Sequence, residues 1–310
     1  DAYTLSENLK DQYGRPWHQS IFPSYGDYKA PVYIWLTAMS VKIFGLNEFA
    51  VRFPSAFFGS LTVLLVYFLV KELFSCSSHR PRSHCVPPRR RDFAGATSEE
   101  GFIRYLPIIS MILLAISPWH LQFSRIGFES NLSLFWVVLC LYLFLKGLRK
   151  GAFLILASIS GAMAVYSYFS ARVILPIILI LSTLIFLKKI WQKKFWFLGG
   201  AMIFALLLIP LFRSPLYTLS QQLRMSAPNI LSSGNSVVHS SRLIEKDNNS
   251  LISRLFYHRY YYLIREFLIN YSQHFSFQFL FLDGDSNLRH HTGFGGQLYF
   301  VLGPFLLLGF

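Results

Sequence analysis

The chain has 310 residues, of which 53% are hydrophobic and only 14% are charged, and its mean hydropathy is +0.41. Soluble globular domains carry about 25% charged residues, so this composition excludes an ordinary soluble protein. The net charge of +14 raises the alternative of a nucleic-acid-binding protein. That alternative fails because the Lys and Arg residues lie at the ends of apolar runs. Three cysteines do not make a disulfide framework.

Apolar runs recur along the chain at lengths that suit membrane helices. A bilayer core requires roughly 20 apolar residues per helix. The runs that meet or approach this length lie at residues 53–74, 103–123, 132–148, 152–169, 173–190, 195–212 and 297–310. A shorter stretch at 31–45 is rich in Tyr and Trp and is interrupted by Lys42, which is typical of an interfacial helix. The sequence therefore predicts an all-α polytopic membrane protein with a GT-C-like helical bundle.

The connectors between these runs alternate between many cations and few. Lys- and Arg-rich connectors follow the first, third and fifth runs, whereas the intervening connectors hold Arg125 and Arg172. By the positive-inside rule the cation-rich connectors are cytoplasmic. The expected organisation is an outer loop, membrane helices with a disordered cytoplasmic loop, a long outer loop and a truncated span. The first outer loop covers 1–48, and the membrane helices cover 49–212 with the cytoplasmic loop at 75–102. The long outer loop covers 213–296, and the truncated span covers 297–310.

Charged and aromatic side chains gather at three places on the predicted outer side, within residues 25–31, 117–131 and 166–172. The ionisable members are Asp27, Lys29, His120, Arg125, Glu129 and Arg172. Ionisable groups at membrane depth usually line a cavity or a substrate path, which predicts one polar cavity shared by all three places. The alternative for each place alone is an aromatic belt with cations that extend to the lipid headgroups.

Cations at such a position suit a phosphate whose lipid tail stays in the bilayer. Lys offers a point charge and Arg a bidentate fork for phosphate oxygens. If the phosphate is a leaving group, prepositioned cations favour the transition state, and a neighbouring carboxylate can act as general base. A non-enzymatic carrier for polyprenyl-linked or other anionic lipids would need the same cations and is the alternative function. Transporters usually show two related halves, and this sequence shows none, which favours an enzyme.

Four segments of the chain resemble one family of membrane enzymes. Residues 26–74, 116–147, 166–180 and 274–309 are similar to parts of the protein O-mannosyltransferase-like family, a GT-C group that includes bacterial aminoarabinose transferases. The resemblance implies inverting transfer of a sugar from a polyprenyl-phosphate donor to a protein, lipid or glycan acceptor. It also implies that the reaction takes place at the outer face of a bacterial cytoplasmic membrane.

The resemblance implies roles for individual residues as well. In the sequence Asp27-Tyr28-Lys29, Lys29 occupies the position that contacts the lipid phosphate in such enzymes. Asp27 matches the acidic position before it, and Tyr28 has a supporting role. Glu129 matches an acidic site in the second outer connector and is the catalytic candidate within the chain. The further candidates for binding the donor phosphate are Arg172 and Arg125.

Three further residues are expected to support donor binding. His120 is expected there from its place in the cluster at 117–131, and Arg289 and His290 from the resemblance. Relatives carry a catalytic Asp-Glu pair at the start of the first outer loop, and the alignment places it a few residues before Asp1. We therefore expect a chain that is truncated at both ends and inactive as it stands.

Residues 283–287 resemble the start of a calcium loop without its closing Glu, so a plain turn is expected and a divalent ion is the alternative.

Overall fold

The computed structural model describes residues 1–25, 27–77, 98–226, 235–247, 250, 254, 256–287 and 289–309. The chain divides into two compact units, Asp1–Ser214 and Pro215–Phe310, and each is described by itself. Both units consist largely of helices, several of them strongly apolar. The fold is that of an all-α polytopic membrane protein, which confirms the prediction from the sequence.

The first unit begins with a short helix and a β-hairpin and continues as a series of mostly apolar helices. Its elements in chain order are α1 (Ala2–Asn8), β1 (Phe22–Ser24), β2 (Asp27–Lys29), α2 (Pro31–Phe44), α3 (Glu48–Ser77), α4 (Ser98–Ile116), α5 (Pro118–Arg125), α6 (Glu129–Gly147), α7 (Phe153–Val165), α8 (Ala171–Ile185), α9 (Leu187–Trp191) and α10 (Lys194–Arg213). The helix expected at 31–45 is present as α2, whose 14 residues are too few to cross a bilayer.

Three helices of the described residues are long and apolar enough to cross a membrane: α3, α6 and α10. The predicted run at 103–123 forms a bent pair instead of one straight span, because α4 and α5 meet at an angle of 58°. The break lies at Ser117, whose backbone is extended (φ −62°, ψ 124°). A proline disfavours helical conformation in the residue before it, and Pro118 follows directly.

Two predicted runs give shorter helices than expected. The run at 152–169 becomes α7, which has 13 residues, and the run at 173–190 becomes α8, which has 15. Helices also extend into both ends of the loop expected at 75–102, since α3 continues to Ser77 and α4 begins at Ser98. The remainder of that loop, residues 78–97, lies outside the described residues.

Helices α3 and α6 pack against each other and run in the same direction. Near their first turns, Asn131 Nδ2 donates a hydrogen bond to the carbonyl oxygen of Ser55 (2.9 Å). Near their last turns, Arg149 forms an ion pair with Glu72 at 3.3 Å. The ends of α3 and α6 that carry Ser55 and Asn131 therefore lie together, opposite the ends that carry Glu72 and Arg149.

A small buried core fixes the segment that precedes α2. Leu5 of α1, Phe22 of β1, and Ile34 and Ala38 of α2 form one cluster of buried side chains. Antiparallel pairing places Phe22 opposite Lys29, so the fully buried phenylalanine anchors the strand that ends in the lysine. This core holds the end of β2 at the first turn of α2.

The described residues of the second unit include three longer helices followed by a looped segment. Its elements are α11 (Pro215–Ser226), α12 (Asn235–Lys246), α13 (Arg259–Gln273), a π-helical turn (Gln278–Leu282), a 3-10 turn (Phe300–Leu302) and α14 (Gly303–Gly309). The loop is closed where the backbone N–H of Leu298 donates to the carbonyl oxygen of Leu280 (2.7 Å). Within the described residues, the span expected at 297–310 appears as the 3-10 turn and α14.

Candidate functional site

Lys29 lies at the end of β2, directly before α2, and is paired with a carboxylate of the same strand. Successive side chains of a strand point to opposite faces, so Asp27 and Lys29 share one face and Tyr28 lies on the other. Lys29 Nζ is 2.8 Å from Asp27 Oδ2. The backbone N–H of Tyr28 donates to the other carboxylate oxygen, Oδ1, at 2.7 Å. The two-residue spacing therefore places an acid beside the lysine.

Glu129 joins this pair from a distant part of the sequence. Its Oε1 lies 3.8 Å from Lys29 Nζ, and we call Asp27, Lys29 and Glu129 the charged cluster. Glu129 is the first residue of α6, where the positive end of the helix dipole stabilises a carboxylate. The side chain of Glu129 is 19% exposed, whereas those of Lys29 and Asp27 are 40% and 49% exposed. Lys29 and Asp27 are therefore the solvent-accessible members of the charged cluster, and Glu129 is the more covered one.

Arg172 lies in the first turn of α8 and contacts the connector between α7 and α8. Its Nε donates to the carbonyl oxygen of Val165 (3.4 Å), and its guanidinium lies 5.4 Å from the centre of the Phe169 ring. The same connector contacts the start of α2, since the backbone N–H of Val32 donates to the carbonyl oxygen of Tyr166 (3.4 Å). The connector that carries Arg172 thus packs against the helix that follows Lys29.

His120 belongs to a different environment from the charged cluster. Its side chain is buried, and its Nε2 lies 3.1 Å from the carbonyl oxygen of Gly59 on α3. Asn131, also buried, donates from Nδ2 to both the carbonyl oxygen and Oγ of Ser55 (2.9 and 3.2 Å) and lies 3.4 Å from Ser124 Oγ. We call His120, Asn131, Ser55 and Ser124 the buried polar cluster. These groups connect α3, α5 and α6.

Gly59 permits the close packing in this cluster. A Cβ atom at that position would overlap Ser124 Oγ and lie 2.9 Å from Asn131 Nδ2, so any larger residue would force these side chains to move. The sequence predicts a place in the shared cavity for His120 and no role for Asn131. In the structure both residues link helices. The signal that was available for Asn131 is an uncharged polar residue near the start of an apolar run, because such residues often form hydrogen bonds between membrane helices.

Arg125 and Tyr33 complete the surroundings of the connector between α5 and α6. Arg125 is exposed in the last turn of α5, where the negative end of the helix dipole favours a cation. Tyr33 of α2 is buried, and its hydroxyl donates to the carbonyl oxygen of Val51 (3.0 Å). This bond ties α2 to the first turn of α3. Of the six ionisable residues expected to share one cavity, Asp27, Lys29 and Glu129 form the charged cluster and His120 is buried against α3. Arg172 contacts the connector between α7 and α8, and Arg125 is exposed on α5.

Arg289 and His290 lie in the looped segment of the second unit. His290 Nδ1 is 3.1 Å from Asp285 Oδ2, and the backbone N–H of Asn287 donates to Asp285 Oδ1 (2.8 Å). The Asn287 bond, followed by the His290 ring, holds the pKa of Asp285 below its ordinary value. Asn287 Oδ1 in turn accepts a bond from the backbone N–H of Arg289 (3.1 Å). The expected turn is therefore held by its own side chains.

The sequence left a divalent ion at residues 283–287 as an alternative. Asp283 Oδ2 accepts a hydrogen bond from Gln278 Nε2 at 2.5 Å, and Asp285 is engaged by Asn287 and His290. Across the residues that the structure describes, no group of three or more His, Cys, Asp or Glu side chains is arranged to hold a metal ion. The carboxylates of this turn therefore bind within the loop.

Comparison with known proteins gives a match to a segment that contains one member of the charged cluster, Lys29. A family model described as dolichyl-phosphate-mannose-protein mannosyltransferase matches residues 28–79, a segment that contains Lys29, α2 and α3. No curated protein and no solved structure matches the chain. The family match implies a lipid-linked sugar donor and a membrane setting. Together with the apolar helices, it indicates an integral membrane protein with the character of a GT-C glycosyltransferase.

Proposed function

We propose that this protein transfers a sugar from a polyprenyl-phosphate donor to an acceptor, with inversion, at the extracytoplasmic face of the membrane. The observation that carries the proposal is the charged cluster. Lys29 lies inside the segment matched by the mannosyltransferase family and is held between two carboxylates at 2.8 and 3.8 Å. A positioned cation with acids beside it is what transfer from a phosphate leaving group requires.

The position of the charged cluster along the helices supports the proposed orientation. Glu129 is the first residue of α6, and the cations Lys146 and Arg149 lie at the other end of that helix. The Arg149–Glu72 ion pair places the end of α3 at this cation-rich end. Because cation-rich ends favour the cytoplasm, the charged cluster belongs at the outer side, with residues 1–48 and 213–296 outside.

In the proposed reaction, the acceptor hydroxyl oxygen attacks the anomeric carbon of the sugar from the side opposite the phosphate. The bond from that carbon to the phosphate oxygen breaks, and the polyprenyl phosphate leaves with the bonding electrons. Lys29 stabilises the charge that develops on this phosphate. A carboxylate accepts the hydroxyl proton as general base. Glu129 is the candidate for that role within the chain, beside the Asp-Glu pair that the family resemblance places before Asp1.

The charge balance of the site constrains how a phosphate binds. One lysine and two carboxylates carry a net charge of −1, which by itself repels an anion. Asp27 is the more exposed of the two acids and lies in a short hairpin. We therefore propose that the donor phosphate displaces the Asp27 carboxylate and binds Lys29 instead. Arg172, and more distantly Arg125, add the positive charge that the phosphate needs. Glu129 then remains paired with the lysine.

The other candidates keep supporting roles in the proposal. His120 maintains the packing of α5 on α3, and Tyr28 contributes its backbone N–H to the Asp27 carboxylate. Arg289 and His290 are assigned to donor binding by the family resemblance. The sugar, the choice among protein, lipid and glycan acceptors, and the bacterial cytoplasmic membrane are likewise parts of the proposal that rest on the resemblance.

The proposal is tested by replacing Lys29 in the full-length enzyme and supplying its membranes with a labelled polyprenyl-phosphate sugar. We expect Lys29→Ala to lower transfer by about 100-fold or more, since removing one group that stabilises transition-state charge has an effect of this size. Lys29→Arg should retain part of the activity because it keeps the charge. Binding of the sugar-free polyprenyl phosphate to protein in nanodiscs should weaken in parallel.

Lys42→Ala is the matched control, since Lys42 is an exposed lysine of the neighbouring helix α2, and it should leave both measurements unchanged. Unchanged transfer by Lys29→Ala would remove the proposed site. If the unmodified protein bound polyprenyl phosphate and moved it between leaflets without transferring sugar, the carrier would replace the enzyme.

A further inference from the structure

Helix α13 (Arg259–Gln273) displays large apolar side chains on its surface. Tyr260, Ile264, Phe267, Leu268 and Tyr271 are each more than half exposed, at 52–56%. None of the 15 residues of α13 is buried. A helix of this composition in a packed domain normally buries such residues against its neighbours.

The five side chains form one continuous face, which we call the exposed stripe. Their spacings from Tyr260 are four, seven, eight and eleven residues, the pattern that places side chains on a single face of an α-helix. The rings of Phe267 and Tyr271 stack with centroids 5.9 Å apart, and Tyr271 packs on Phe275 at 5.2 Å. The stripe thus continues beyond the end of the helix.

Helix α12 packs against another face of α13. Tyr262 contacts His239 of α12, with ring centroids 4.8 Å apart. Tyr262, Leu263 and Glu266 are the half-buried residues in the middle of α13, and at about 100° per residue Tyr262 and Glu266 lie on the side opposite the exposed stripe. Helix α12 therefore covers the back of α13 and leaves the stripe outward.

The composition of α13 identifies what the stripe faces. Tyr260, Tyr261 and Tyr271 combine an apolar ring with a polar tip, which favours the headgroup region of a bilayer. Arg265 is exposed at the edge of the stripe, where a guanidinium can reach lipid phosphates. The second unit begins at Pro215, and the apolar helix α10, long enough to span a membrane, ends at Arg213. The second unit therefore starts where a membrane span ends.

We infer that α13 lies in the plane of the membrane interface, with its exposed stripe among the headgroups and upper acyl chains of phospholipids. Amphipathic helices of this kind insert their apolar face roughly 5–10 Å into that region. The inference goes beyond the proposed function and is independent of it, because it concerns how the second unit meets the bilayer and uses no residue of the charged cluster.

The test measures the environment of individual positions of α13 in the whole chain, reconstituted in phosphatidylethanolamine–phosphatidylglycerol bilayers. The native cysteines are first removed by Cys76→Ser, Cys85→Ser and Cys140→Ala, so that labels attach only at the introduced cysteines. Spin labels are then attached to Ile264→Cys and Phe267→Cys on the stripe, and to Asn270→Cys and Gln273→Cys, which are exposed residues outside the stripe, as matched controls. We expect the stripe labels to collide several-fold more with oxygen than with an aqueous nickel chelate, and the control labels to show the reverse.

Two outcomes would overturn the inference. Stripe labels that meet the nickel chelate as readily as the controls would place the stripe in water. Stripe labels shielded from both reagents would mean that another part of the chain, or a second copy, covers it. Because a label can disturb folding, benzoylphenylalanine at Phe267, an aromatic replacement for an aromatic residue, gives a second measurement. It should crosslink to phospholipid, whereas the same group at Tyr262 should not.

Discussion

Glu129 and Asn131 lie two residues apart at the start of α6, yet they serve different kinds of contact. Glu129 is charged, partly exposed and paired with Lys29 at 3.8 Å. Asn131 is neutral and buried, and its amide donates to the backbone and hydroxyl of Ser55 on α3. Residues two apart on a helix do not face each other, so one turn of α6 contributes to both clusters.

The difference follows from the cost of polar groups in lipid. A charge inside the hydrocarbon is expensive and persists mainly where it is paired or reaches water, and the charged cluster is about half exposed at Lys29 and Asp27. A buried amide is tolerated when its donors are satisfied, and it then holds helices together. We therefore expect substitutions in the charged cluster to change chemistry with the fold intact, and substitutions in the buried polar cluster to change stability.

The strongest test of this division is Glu129→Gln. The substitution preserves size but removes the carboxylate that pairs with Lys29 and that is the candidate general base. General-base catalysis contributes about 100- to 10,000-fold, so we expect sugar transfer to fall by about 100-fold or more while the melting temperature in detergent stays within a few degrees. Glu48→Gln is the control, since Glu48 is 84% exposed and pairs only along its own helix with Arg52. Full activity of Glu129→Gln would separate the charged cluster from the chemistry.

Asn131→Leu tests the expectation that the buried polar cluster contributes to stability and not to chemistry. It removes the donor to Ser55 and keeps the number and branching of the side-chain heavy atoms. Hydrogen bonds between membrane helices contribute on average about 0.6 kcal/mol each, so the loss of these contacts should lower the free energy of unfolding by about 1–2 kcal/mol. Binding of polyprenyl phosphate by the folded fraction should be unchanged. The neighbouring substitution Ser130→Ala should alter neither quantity, and a loss of binding by Asn131→Leu without loss of stability would contradict the division.

The sequence predicted the parts of the fold that depend on local composition. Runs of apolar residues identify the long helices α3, α6 and α10, because crossing a bilayer sets both length and hydropathy. The break at Ser117 was missed, although Pro118 gave the signal, because hydropathy alone reads 103–123 as one run. The shorter α7 ends before polar and aromatic residues of the connector, such as Ser167, and α8 ends at Ile185, where the backbone leaves the helix at Phe186 (φ −104°, ψ 21°).

The candidate site was predictable in part. Asp27 and Lys29 share a strand face, which their spacing determines, and the alternation of connectors placed Glu129 on the same predicted side. Its contact with Lys29 depends on how α6 packs beside α2 and α3, and no local sequence pattern predicts such packing. The same applies to His120, whose type and position suggested a polar cavity but whose ring packs against the backbone of Gly59.

Arg125 provides the smallest and most discriminating comparison with Lys29. Both are candidates for the donor phosphate, but Lys29 is held between two carboxylates, whereas Arg125 is exposed at the end of α5. An exposed charge acts mainly through long-range attraction, which salt screens over about 10 Å at 0.1 M. We therefore expect Arg125→Gln to slow capture of the anionic donor by about twofold at low salt and to have no effect at high salt. Stopped-flow binding of polyprenyl phosphate at several salt concentrations measures this. A salt-independent loss as large as that of Lys29→Ala would instead place Arg125 in direct contact with the phosphate, because only a short-range contact escapes screening.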